Sequence, residues 1–138
     1  MQSEMLRKAR EYEGEKREQA RKLLPDFHVT GGIGWINDPN GFSVYKGEYH
    51  LFFQYYPYDV TWGPMHWGHV KTKDFIRWEQ LPAALAPDAP YDKDGCFSGS
   101  AVELPNGQHL LLSNYTDAQA PDMLRPYEAR IYHTEYKP

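Results

Sequence analysis

The stretch GWINDPNGF, residues 34–42, sets a carboxylate among an aromatic residue, an amide and a proline. Asp38 precedes Pro39, which drives it into the extended region and limits where its side chain can point. Trp35 is expected on the same side of the extended segment, as an aromatic wall. Asn37 offers an amide donor to a ligand hydroxyl. A carboxylate held rigid in such surroundings suits attack on an anomeric carbon, as in retaining glycoside hydrolysis. The residues Asp38-Pro39-Asn40-Gly41 also satisfy a tight turn: Pro39 presets φ near −65°, Asn40 tolerates the third position and Gly41 suits the fourth. From these residues alone both readings stand.

The elements that must position Asp38 read mostly as β. Residues 42–45 and 49–56 flank the turn Lys46-Gly47-Glu48 as a hairpin, and residues 66–72 follow as a further strand. Residues 98–104 and 108–114 flank Pro105-Asn106-Gly107 as a second hairpin, and 129–136 read as a last strand. Residues 81–95, with three prolines, read as an ordered loop. Ahead of all this, residues 1–24 predict a helix that lies against the main body: Met5, Leu6, Ala9 and Tyr12 recur at helical spacing and Pro25 ends it. Glu4–Lys8, Glu13–Arg17 and Glu18–Lys22 are favourable i,i+4 pairs, while Gly14 weakens the middle by about 1 kcal/mol. Short antiparallel strands with Gly- and Pro-rich turns suggest a sandwich, barrel or propeller.

The 138 residues fit one ordinary domain. Acidic residues outnumber basic ones 19 to 15, which leaves no polycation to hold nucleic acid. The charged start lacks the apolar run of a signal peptide, and nothing later approaches the length of a membrane span. A lone cysteine, Cys96, excludes an internal disulfide and fits a reducing compartment, so the expected location is the cytoplasm. Eleven tyrosines and four tryptophans make the chain aromatic-rich. That suits stacking on sugars, but packing in β cores accounts for it first. His66 and His69 fall on opposite faces of a strand and lack supporting ligands, so no metal and no cofactor is expected.

WINDPNG (35–41), YHLFFQYYP (49–57), WGPMHWGHVKTKDFIRWEQLPAAL (62–85) and GCFSGSAVE (95–103) resemble, in order and spacing, the opening segments of glycoside hydrolase family 32, the invertases and fructan hydrolases. The leader 1–24 resembles that of intracellular sucrose-6-phosphate hydrolases. The resemblance implies an all-β fold, a five-bladed β-propeller with a funnel-shaped site, usually followed by a β-sandwich. It implies a retaining mechanism on β-fructofuranosides: sucrose, sucrose 6-phosphate or a fructan. Asp38 matches the nucleophile. Trp35 and Asn37 match residues of the fructosyl subsite, Gln54 a glutamine that hydrogen-bonds the sugar, Trp62 an aromatic wall, and Phe97 with Ser98 a further pair touching substrate.

Retention needs a second carboxyl group about 5–5.5 Å from the first. The family's acid/base lies in a Glu-Cys motif and its transition-state aspartate in Arg-Asp-Pro. Neither motif occurs here: Cys96 follows Gly95, and Arg125 is followed directly by Pro126. Asp92, Asp94, Glu103 and Asp117 offer no reason to sit opposite Asp38, and Asp92 with Asp94 reads as a solvated loop. Five blades of four strands need on the order of 240 residues. The expectation is therefore a helical leader, 1–26, and about two blades of a truncated propeller, 27–138, inactive alone and completed by a C-terminal remainder. A non-catalytic sugar-binding or complementation fragment is the alternative.

Overall fold

The computed structural model describes residues 3–25, 27–90, 92–114 and 130–133. Helix α1 runs Glu4–Ala20 and tightens into a 3-10 turn at Arg21–Leu23. Ser3 caps it, its Oγ accepting the Leu6 N–H at 3.2 Å. Replacing Ser3 by alanine leaves that N–H without its cap, and a loss of about 1 kcal/mol is expected in a urea titration. Glu4–Lys8 and Glu13–Arg17 pair at 2.8 and 2.7 Å. Glu18 and Lys22 do not pair, because the 3-10 turn winds at three residues per turn and takes them off a common line.

Among the described residues seven strands follow: β1 (Trp35–Tyr45), β2 (Glu48–Tyr56), β3 (His66–Thr72), β4 (Glu79–Leu85), β5 (Phe97–Glu103), β6 (His109–Asn114) and β7 (Arg130–His133). The first four form one antiparallel sheet in the order β1-β2-β3-β4, and the last three form a second, β5-β6-β7. Both expected hairpins are present. Lys46 and Gly47, at φ 50° and 77°, make a two-residue turn that pairs Tyr45 with Glu48. Both central residues in the left-handed region give the twist that a hairpin needs. In the second hairpin Gly107, at φ 78°, donates its N–H to the Leu104 carbonyl.

Two sequence readings are corrected. The segment Asp38-Pro39-Asn40-Gly41 is no tight turn; β1 runs straight through it. Residues 81–85 belong to β4, so the proline-rich stretch begins as strand and only then becomes loop. The cause is common to both: β1 and β4 are the outer strands of their sheet, where a proline without N–H leaves no ladder bond missing.

Two apolar layers hold the sheets. On one face of the first sheet Phe53, Tyr55, Val70 and Ala83 pack against Leu6 and Ala9 of α1. On the other, Phe52, Trp67, Ala84 and Leu85 meet Cys96, just ahead of β5, and Leu111 of β6, with Ala101 against them. The second layer fastens the sheets to each other.

Helix α1 does more than add apolar surface. Arg10 Nε donates to the Ala83 carbonyl at 2.9 Å, Glu13 Oε2 accepts the Ala83 N–H at 3.0 Å, and Arg17 donates to the Leu81 carbonyl at 3.0 Å. Three helix side chains thus occupy backbone groups of β4 that a further strand would otherwise take. Burial pushes the Glu13 carboxyl above its usual range, and the Arg17 guanidinium, 2.7 Å away, opposes that rise.

Candidate active site

Irregularities in two strands build the site. Between Ile36↔Tyr55 and Pro39↔Phe53, Asn37 and Asp38 of β1 both stand opposite the single residue Gln54 of β2. This bulge breaks strict alternation and gathers three of the expected site residues at one rung. A second bulge follows between Asn40 and Ser43. In β5 the register skips Ser98, which stands out of the ladder between Phe97 and Gly99.

Strands β1 and β5 open the two sheets and lie side by side. Gly41, at φ +50°, marks a close approach: a Cβ there would come within 3.0 Å of Ala101 Cβ and of the Phe52 ring. No other residue type supplies both that backbone angle and that space. The contact brings the two bulges together, and Ser98 Oγ donates to Asp38 Oδ2 at 3.3 Å. Asp38 is exposed and Ser98 half-buried, so the carboxylate faces outward at the junction of the sheets.

The remaining candidates divide. Trp35 Nε1 donates to Asn37 Oδ1 at 2.8 Å, so the indole is tied to Asn37, two residues on, rather than to Asp38. Gln54 is 2% exposed, and its amide donates to the Cys96 carbonyl at 3.0 Å. Phe97 is half-buried. Trp62 is 56% exposed, ahead of β3, and shares no hydrogen bond or ring contact with the other candidates among the described residues.

Sequence reasoning missed the groups that hold the β5 bulge. A bulge leaves carbonyls without ladder partners, and here side chains take them. The Phe97 carbonyl accepts from Trp67 Nε1 at 3.1 Å and from Ser113 Oγ at 2.9 Å; the Ser98 carbonyl accepts from Asn114 Nδ2 at 2.9 Å. With Gln54 on the Cys96 carbonyl, three successive carbonyls are fixed from β2, β3 and β6. Trp67 is fully buried. The available signal was that a buried indole N–H needs an acceptor.

Other titratable groups are accounted for. His66 and His69 face opposite ways, paired in register with Tyr55 and Phe52. His66 Nδ1 lies 2.9 Å from the Pro64 carbonyl, and burial pushes the ring down to about 4. Among the described residues no group of three or more His, Cys, Asp and Glu is placed to hold a metal ion. Asp92 corrects the sequence reading: it is 2% exposed, not solvated, and accepts the Ala89 N–H at 2.6 Å. Asp94 and Glu103 are exposed, and Asp117 with Arg125 and Pro126 lies outside the described residues. Burial raises the Cys96 thiol well above its ordinary range, which keeps it inert. No helix among the described residues is long and apolar enough to cross a membrane.

Comparison with known proteins places this geometry. The family model described as the glycosyl hydrolases family 32 N-terminal domain matches residues 28–134. A sucrose-6-phosphate hydrolase of Zymomonas mobilis is 52% identical over 117 residues, covering 80% of this chain and 22% of the relative. A solved Bombyx mori GH32 β-fructofuranosidase superposes with a TM-score of 0.69 at 45% identity, over 82% of this chain and 24% of that one. The sucrose-6-phosphate hydrolase of Lactobacillus gasseri superposes with a TM-score of 0.67 at 35% identity, over 88% and 24%. The chain thus spans about a quarter of the length of the proteins it matches, and its two sheets correspond to the N-terminal part of β-propeller enzymes. The chain belongs to glycosyl hydrolase family 32.

Proposed function

We propose that this chain is the N-terminal part of a retaining β-fructofuranosidase acting on sucrose or sucrose 6-phosphate, with Asp38 as nucleophile. The observation that carries this is the exposed Asp38 carboxylate at the meeting of two bulged strands, held by Ser98 and opposite Gln54. Asp38 attacks the anomeric carbon of the fructosyl unit while the bond to the leaving oxygen breaks. That oxygen takes a proton from a carboxylic acid, and water then releases fructose and restores the carboxylate. Trp35, Asn37 and Trp62 line the fructosyl side, with Phe97 and Ser98 at the rim. Gln54, buried with its amide N–H on the Cys96 carbonyl, backs the fructosyl side and steadies the rung that carries Asn37 and Asp38.

The sequence contains neither Glu-Cys nor Arg-Asp-Pro, so the proton donor and the second aspartate come from elsewhere. Residues 1–26 serve as a helical leader and 27–138 as a partial propeller, completed by a C-terminal remainder in the cytoplasm. The purified chain alone is expected to turn over no sucrose. Grafted in place of the matching segment of the Zymomonas relative, it is expected to support sucrose hydrolysis measured as released fructose. A folded graft without activity would sink the reading.

A further inference from the structure

Away from Asp38, the contact between the sheets contains imidazoles that the reaction does not use. His50 on β2, His69 on β3 and His109 on β6 are 6%, 7% and 8% exposed. His50 Nδ1 and His69 Nε2 lie 2.8 Å apart, and His109 Nε2 lies 2.8 Å from Ser43 Oγ of β1. The His109 ring stacks on Tyr45 at 4.4 Å and meets the His50 ring edge-on at 5.3 Å; His69 stacks on Phe52 at 4.2 Å. His109 is thus the second sheet's contribution to a cluster otherwise built by the first.

The geometry has room for few protons. Between His50 Nδ1 and His69 Nε2 only one hydrogen fits; a second would set two N–H groups against each other. Ser43 Oγ already donates to the Gly41 carbonyl at 3.1 Å, so the proton of the Ser43–His109 bond sits on His109 Nε2. The surrounding charges offer little relief. Glu48 is engaged by Lys71 at 3.0 Å, and Lys71 also meets Glu79 at 3.3 Å. Glu103 stands opposite His109 in the β5–β6 register but is exposed and not bonded to it. Arg10 of α1 adds positive field at His69. Burial, with the neighbouring rings, pushes His69 down to about 2 and His109 to about 4, and burial also lowers His50.

We propose that the His50–His69–His109 cluster is an acid-sensitive fastening between the two sheets, and that protonating it parts them and withdraws Ser98 from Asp38. The sign follows from linkage: a ring lowered in the folded state takes up protons on parting. The fastening is therefore intact above about pH 6.5 and weakens as pH falls, by up to about tenfold per pH unit for each ring that protonates on parting. Glu13 works the other way, since its raised carboxyl favours the folded chain in acid.

The test is a titration of the full chain from pH 7.5 to 4, following the Trp67 indole N–H by NMR, the histidine ring signals and far-ultraviolet circular dichroism. The Trp67 signal reports the bond to Phe97 across the sheets. It should disappear between pH 6.5 and 4, before the circular dichroism changes and in the same step as the ring protonation. His109→Gln, which keeps a donor for Ser43 but cannot charge, should move the midpoint down by at least half a pH unit. An unchanged midpoint in that variant overturns the proposal. So do rings that titrate near pH 6.5 while the Trp67 signal persists, a result read on the native chain even if the variant does not fold.

Discussion

In the grafted enzyme, Asp38→Asn is expected to lower kcat by at least about ten-thousandfold, the scale on which removing a covalent nucleophile acts. The amide has nearly the carboxylate's shape and still accepts the Ser98 hydroxyl, so the bulge is left undisturbed. Because Asp38 is exposed, the thermal midpoint should move by no more than a degree or two. The combination decides between the two readings of this residue. A structural aspartate gives a stability loss with activity retained; a nucleophile gives the reverse. No fructosyl-enzyme should be trapped in the variant when the reaction is quenched in acid, whereas the unsubstituted graft should show one by mass.

Trp67→Ala should have the largest effect on folding. The side chain is fully buried in the layer between the sheets, against Phe52 at 5.7 Å between ring centroids, and its N–H holds the Phe97 carbonyl. Truncation opens a large cavity and removes one of the two side-chain donors on the Phe97 carbonyl, at a cost of about 3–5 kcal/mol. That is a large part of the roughly 5–15 kcal/mol that holds a typical domain together. Trp67→Phe separates the causes. It fills most of the volume, leaves Ser113 on the carbonyl, and should cost only about 1–2 kcal/mol. Urea midpoints of the three proteins supply the comparison; equal losses in both variants would mean that the hydrogen bond, not the volume, is what matters.

Strand identities were legible wherever a β-rich run met Gly-based turn chemistry, as in residues 49–56 and 108–114, which are β2 and β6 within a residue or so. They were illegible where a proline sat in a strand. Pro39 and Pro82 carry turn signals, and only knowing that β1 and β4 are outer strands makes them compatible with a sheet. Four ordered motifs named the candidate site residues but not their arrangement. That Asn37 and Asp38 share the rung of Gln54, or that Ser98 drops out of its ladder, depends on bulges, which strand alternation in the sequence does not mark. The histidine cluster was hidden for a further reason. His50, His69 and His109 are dispersed along the chain; the pairing of β2 with β3 sets His50 beside His69, and only the contact between sheets adds His109.

The three arms that α1 lays along β4 bear on synthesis. The helix leaves the ribosome about sixty residues ahead of the strand it serves, several seconds at roughly 5–20 residues per second. When Leu81 and Ala83 emerge, Arg10, Glu13 and Arg17 are already waiting for their backbone groups. The first sheet can therefore close on itself as soon as β4 is made, with the side that would otherwise recruit a strand from another nascent chain already occupied. A protein whose later parts fold onto this one then starts from a finished template.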